Sequence, residues 1–280
     1  MKVLLLLGIA LFFSLHQVSI KKGTISCDTT TGTFVSIATT AILFTALSLP
    51  SLNPLSDLQP AFVAAMIIAG VLHFLVARTA FYVCIDRVGA NVAATLATTR
   101  VFFAAMLGLL LLAEHITARV VLMAGLIFAG VFALSRPGGV KDARGILLGL
   151  FTGFVAALSS VVVRTGMEIS SNAVLGTAIG YISALLLFPI VAGKKIEINS
   201  IGRDYWPFIL GGIFVGFGHY MRYVALSLYP VSVVESFLST YPLFTVILSW
   251  IFIRDVEVFS LRFFIAAILI ISGVEAYFLL

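Results

Sequence analysis

Apolar stretches of about twenty residues recur along nearly the whole chain, and few charges interrupt them. They fall at 3–20, 31–50, 61–84, 90–112, 117–135, 145–164, 172–192, 206–227, 230–253 and 259–280. A helix needs roughly 20 apolar residues to cross the hydrocarbon core of a bilayer. Backbone N–H and C=O groups in lipid must be paired within their own segment, which favours helices, and the alternation of a membrane β-barrel is absent. Composition agrees, since 61% of the 280 residues are hydrophobic and 10% are charged. A typical soluble domain carries about 25% charged residues, so most of this surface must face lipid. The expected fold is an all-α integral membrane protein of ten transmembrane helices, multi-pass in the cell membrane, with no room for a soluble catalytic domain.

Other classes are excluded on similar grounds. The net charge of +5 would suggest nucleic acid for a soluble chain, but the basic residues sit between the apolar stretches, where the positive-inside rule wants them. No nucleic-acid partner is expected. Cys27 and Cys84 match no metal or redox spacing and read as simple burial. Neither a metal nor another cofactor is expected. Lys2 followed by the apolar run from Val3 to Phe13 has the outline of a secretion signal. His16, Gln17, Lys21 and Lys22 follow it without a small-x-small cleavage pattern, so the segment reads as the first span.

The two halves repeat. At a separation of 141 positions, Tyr82-Val83 lies over Tyr223-Val224, Gly89 over Pro230, Thr95 over Ser236 and Phe103 over Phe244. Leu111-Leu112-Ala113-Glu114 lies over Phe252-Ile253-Arg254-Asp255, while a shift of two residues brings Glu257 over Glu114 and Gly273 over Gly130. These matches divide the chain into repeats at 1–137 and 143–280. Five spans per repeat is an odd number, so the second repeat must enter the membrane from the opposite side. The charges agree. Leaving aside Arg78, Arg100 and Arg222 within spans, eleven Lys and Arg fall on one side and three, Lys2, Arg119 and Arg164, on the other. The expectation is two inverted five-helix repeats.

The segment RVGANVAATLATTRVFFAAMLGLLLLAEHITARVVLMAGLIFAGVFAL (87–134) and its counterpart from Tyr229 to Leu279 resemble the EamA-type branch of the drug/metabolite transporter superfamily. That pattern is a small-residue helix with a proline near its middle and a terminal Glu, then a helix with a Gly-rich end. Pro242, Glu114, Gly125, Gly130 and Gly273 fit it. Arg100-Val101 stands where the first proline belongs, and either Asp255 or Glu257 takes the place of the second Glu. The resemblance implies ten helices in two inverted halves around a central cavity that opens to each side in turn. It also implies cytoplasmic termini, whereas the charge count favours termini outside.

Ionisable groups inside spans cost roughly 2.5–3.5 kcal/mol each on insertion scales, so they are functional candidates by default. Arg100 sits mid-span, over Tyr241 in the repeat, and either holds an anionic solute group or forms a structural bridge to Glu235. Glu235 either couples transport to protons or serves as partner to Arg100 or Arg222. Pro242 removes a backbone hydrogen bond and can leave the Leu238 carbonyl to line a cavity. Arg78 with Tyr82, and His219 with Tyr223, are i,i+4 pairs that superpose in the repeat, as a pseudo-symmetric midplane site requires. The alternative places the tyrosines in an interfacial belt and lets Arg78 snorkel. His16 is a cavity candidate, or simply hydrogen-bonded; His73 is weaker. Glu114 and Asp255 read as positional features, and Gly70, Ala94, Ala97, Gly211 and Gly216 as close packing.

The expected function is that of a secondary transporter moving a small polar metabolite, such as an amino acid or organic acid, by alternating access, with proton coupling through Glu235. It would act as a monomer or homodimer, with solute and lipid bilayer as its partners. No Walker-type loop is present to use ATP directly. The alternative in the same fold is a flippase or scramblase of lipids or lipid-linked substrates. A membrane-embedded enzyme fits less well, because HExxH, GxSxG and an acidic pair with metal spacing are all missing.

Overall fold

The computed structural model describes residues 2–51, 58–88, 93, 96–134, 142–192, 196–198, 201–252, 265–266, 268–273 and 276. Every regular element among the described residues is helical. In chain order these are α1 (Lys2–Gly23), α2 (Thr29–Ser48), α3 (Pro60–Gly70), α4 (Arg78–Val88), α5 (Arg100–Leu112) and α6 (Ala118–Leu134). They continue with α7 (Ala143–Ile169), α8 (Ala173–Ala192), α9 (Trp206–Leu228), α10 (Val231–Leu238) and α11 (Tyr241–Phe252). A π-helical segment, Val71–Ala77, joins α3 to α4.

Six stretches are long and apolar enough to cross a membrane: Leu4–Gly23, Thr29–Ser48, Pro60–Phe81, Ala143–Ile169, Ala173–Ala192 and Arg203–Leu228. They coincide with the first three and the sixth to eighth apolar stretches of the sequence. The fourth and fifth appear as shorter apolar helices, Leu96–Leu112 and Ala118–Ala133. The ninth, expected as one helix over 230–253, is divided into α10 and α11 by a turn at Ser239-Thr240. Most of the tenth, with Asp255, Glu257 and Glu275, lies outside the described residues, as does Ala94.

Polar side chains set the helix starts. The Asp28 carboxylate accepts the Thr31 N–H at 2.8 Å and begins α2. Asn172 Oδ1 accepts the Leu175 N–H at 3.0 Å and begins α8. Asp142 accepts the Arg144 and Gly145 N–H groups at 3.0 and 3.1 Å and begins α7. These are the usual N-cap partners for donors that the first turn leaves unused.

The chain divides into two compact units, each drawing on both sequence halves. The first comprises Met1–Leu75 and Val162–Leu228, and the second Val76–Val161 and Tyr229–Leu280. In the first, α1 packs on α9, α2 on α8 and α9, and α3 on α8. Small residues permit these approaches: a Cβ on Gly70 would come within 2.3 Å of the Gly180 carbonyl oxygen. Without a hydrophobic drive between helices in lipid, such close van der Waals packing and interhelical hydrogen bonds hold the bundle. Thr40 Oγ1 supplies one, donating to the Gly212 carbonyl of α9 at 2.6 Å. Ile37, Phe74, Tyr181 and Val215 form the buried centre of this unit.

In the second unit α10 packs on α5 and α6. Gly130 lies against Ile270, and Gly149 leaves room for Leu96 and Cys84. Cys84 is buried, as expected, with its thiol 3.2 Å from the Gly145 carbonyl oxygen, while Cys27 is only half-buried. Large apolar side chains such as Leu110, Leu186 and Ile190 stay exposed on the helices, which suits a lipid-facing surface.

Asp142 also accepts from Arg87 at 3.0 Å. The Gly145 N–H, and then the Arg87 guanidinium, hold its carboxyl below the usual carboxylate range. A depressed carboxylate stabilises the fold above its unfolded-state value, and that contribution disappears as pH falls through the folded-state value. Asp142→Ala should therefore lower the thermal unfolding midpoint in detergent at neutral pH. Its gap from the parent should narrow as the pH drops below the ordinary carboxylate range.

Candidate functional site

The second unit holds a buried polar cluster at two helix interruptions. A one-residue break at Thr99 precedes α5, and the Ser239-Thr240 turn precedes α11. At the 141-residue separation Thr99 lies over Thr240 and Arg100 over Tyr241, so the two repeat-related helices break at equivalent places. Neighbouring side chains satisfy nearby carbonyls. Arg100 Nε donates to Ala97 O at 3.3 Å, Thr240 Oγ1 to Phe237 O at 2.7 Å, and Ser239 Oγ to Glu235 O at 2.8 Å. Irregular backbone at membrane depth is tolerated only where protein or a cavity surrounds it.

Glu235 lies on α10, one turn before its break, and has no exposed surface. Its Oε1 accepts from Ser160 Oγ of α7 at 2.7 Å, and its Oε2 lies 3.8 Å from Arg100 Nη1. That second separation is too long for a hydrogen bond. In a low-dielectric interior it is still short enough for a strong ionic attraction. Arg100 is itself only 8% exposed, and its guanidinium carbon stands 6.0 Å from the centre of the Tyr241 ring, at the outer reach of a cation–π contact. The bridge weighed from sequence between Arg100 and Glu235 is thus present, with Tyr241 beside it.

Ser160 is the member that sequence reading did not single out. Its Oγ lies within hydrogen-bond distance of two acceptors, Glu235 Oε1 at 2.7 Å and Ala156 O at 3.0 Å. A hydroxyl has one proton to donate and lone pairs to accept with. With Glu235 ionised, the proton points to the carboxylate. With Glu235 protonated, the acid can donate to Ser160 Oγ while the hydroxyl turns to Ala156. Ser160 can therefore satisfy both protonation states without moving its backbone.

The remaining candidates divide between the units. His219, 1% exposed, lies in the first among aromatic rings. Its ring centre is 4.7 Å from Phe13, 4.6 Å from Phe74, 4.9 Å from His73 and 5.8 Å from Tyr181. The π-helical segment carries both His73 and Phe74, and Phe74 stacks on Tyr181 at 4.0 Å. Tyr223 is buried against Gly176 and Gly180 of α8. Arg222, one turn beyond His219, is fully buried too. His16 Nδ1 lies 2.9 Å from the Gly211 carbonyl oxygen; a carbonyl only accepts, so this nitrogen carries the proton. Arg78 is half-buried at the start of α4, in the second unit. The side chains of Tyr82 and Pro242 lie outside the described residues.

A family model described as the EamA-like transporter family matches residues 1–136 and again 143–278. The chain belongs to the EamA-like transporter family. It is accordingly a multi-pass membrane protein of a family whose members are transporters in the drug/metabolite superfamily rather than enzymes. No curated protein matches it in sequence. Among solved structures it is similar to one described only as "Crystal structure of protein", at 17% identity and a TM-score of 0.81, over 99% of this chain and 96% of the other. At that identity the likeness concerns fold alone. Within this EamA-like protein, no group of three or more His, Cys, Asp or Glu able to hold a metal occurs among the described residues.

The ionic cluster makes a stability prediction. Removing one partner of a buried pair strands the other charge, at a cost of roughly 3–5 kcal/mol. Arg100→Leu should destabilise the protein by about that amount, and adding Glu235→Gln should recover most of the loss. Chemical denaturation of the purified single and double variants measures both.

Proposed function

We propose that this protein is a secondary transporter of a small anionic or zwitterionic metabolite, an amino acid or organic acid, coupled to protons at Glu235. The reading assumes ten spans in two inverted five-helix repeats, at 1–137 and 143–280, working by alternating access around a fixed midplane site. One observation carries it: a fully buried carboxylate within reach of a buried guanidinium, beside repeat-related helix interruptions. Intramembrane carboxylates of this kind serve as proton stations in pumps and transporters.

The chemistry follows from charge balance. While Glu235 is ionised, Arg100 neutralises it. A solute carboxylate arriving at Arg100 would then place two anions around one buried cation. Protonation of Glu235 removes that conflict, and the acid's O–H then donates a hydrogen bond to Ser160 Oγ. Proton and solute therefore bind together, and either alone leaves a buried charge poorly compensated. Release reverses the order on the side where the proton leaves. Arg78 and Tyr82, which lie in the same unit as the cluster, remain candidates to contact the rest of the solute.

The test is transport in proteoliposomes, with a panel of radiolabelled amino and organic acids as probes. Glu235→Gln should abolish accumulation driven by a pH gradient and preserve solute–solute counterflow. Equal loss of both activities would remove Glu235 from the coupling role. Scrambling of fluorescent lipid without uptake of any probe would favour the flippase reading instead.

A further inference from the structure

The helix that carries Glu235 begins without a cap of its own. Pro230 occupies the N-cap position of α10 and provides no side-chain hydrogen bond. The first N–H of the helix, on Val231, is instead taken at 2.8 Å by Oε1 of Glu114, 117 positions away in sequence. Both residues lie in the second unit. Unused N–H groups and the positive end of the helix dipole make this a favourable place for a carboxylate.

The backbone around Glu114 is arranged to aim it there. α5 ends at Ala113 in the left-handed conformation, φ 51° and ψ 31°, and Ala113 is the one non-glycine residue with positive φ among those described. Such a conformation is unfavourable for an L-residue with a Cβ, so the surrounding contacts must favour it. The Glu114 N–H then donates back to Gly108 O at 3.0 Å. The carboxylate lies over Gly108, where a Cβ would come within 2.5 Å of Oε2. Reversed chain, missing side chain and carboxylate together form one seat.

We propose that Glu114 is a positioning residue: its carboxylate, seated on Gly108, fixes the start of α10 and thereby places Glu235 against Ser160 and Arg100. Glu235 follows Val231 by four residues, about one helical turn, so a shift at the capped end is carried directly to its carboxylate. The proposed role depends on an acceptor oxygen at position 114 rather than on exchange of a proton there. It builds on the reading of Glu235 as the coupling group, but its test requires no transport.

Hydrogen–deuterium exchange of the full-length protein in nanodiscs, comparing the parent with Glu114→Ala and Glu114→Gln, reads the cap itself. Loss of an N-cap corresponds to a roughly two- to thirtyfold change in local opening. Glu114→Ala should speed exchange in the peptide covering 231–234 by that factor and leave the peptides of α9 unchanged. Glu114→Gln, which keeps an acceptor oxygen, should stay close to the parent. In pH-difference infrared spectra, the carboxyl band that Glu235→Gln removes should shift in Glu114→Ala and hold its position in Glu114→Gln. Unchanged exchange at 231–234 in Glu114→Ala, or an unmoved Glu235 band despite faster exchange, would overturn the proposal. So would a glutamine variant that behaves like the alanine one. Should Glu114→Ala fail to fold, Gly108→Ala, which crowds the seat from beneath, should give the same pair of changes, and their absence would count equally against it. A protein that passes these tests and transports none of the probes would leave Glu114 in place and remove only the coupling role of Glu235.

Discussion

A carboxylate with no exposed surface, in a chain that spans a membrane, is held in place only by what surrounds it. Glu235 has a hydroxyl at hydrogen-bond distance and a guanidinium slightly beyond it. Buried ion pairs gain little net stability over well-packed apolar residues, because desolvation cancels much of the attraction. An apolar pair would fill the same space at less risk, so retaining the charges makes more sense for a working site than for a structural one. The long Arg100 contact fits that view. A guanidinium locked in a two-point bridge would be hard to release, whereas one 3.8 Å away can be shared with an incoming anion.

The local architecture of the second unit follows from presenting this cluster. Two repeat-related helices are interrupted one residue before Arg100 and Tyr241, both of which are buried. Threonine and serine hydroxyls satisfy carbonyls beside both interruptions. At the far end of α10, a distant carboxylate supplies the cap that Pro230 cannot. The ends of this short helix are thus both fixed by polar contacts, and Glu235 sits between them.

Most of the architecture was legible in the sequence because lipid imposes a simple rule: an apolar run of about twenty residues reads as a helix. Six of the expected stretches stand as full-length helices. The 141-residue repeat placed Arg100 over Tyr241, and the intramembrane charges offered a bridge between Arg100 and Glu235 as one of two readings. What stayed hidden depended on geometry rather than composition. Hydropathy cannot register a break of one or two residues, so 230–253 read as one helix, and Pro242 drew attention to a position four residues beyond the end of α10. Ser160 gave no signal, because serine is ordinary in packed membrane helices. Glu114 read as a residue ending a span, since only the fold brings it to Val231. His73 looked incidental until the π-helical segment placed it beside His219.

The central claim is that a proton on Glu235 and a solute carboxylate at Arg100 bind together. Counting protons as solute binds tests it most directly, by calorimetry of the purified protein in buffers of differing ionisation enthalpy, with the amino or organic acid that gives the strongest counterflow. The expected result is uptake of about one proton per solute by the parent protein and none by Glu235→Gln, as linkage at a single site requires. Equal proton uptake in both proteins, or proton release by the parent, would contradict it.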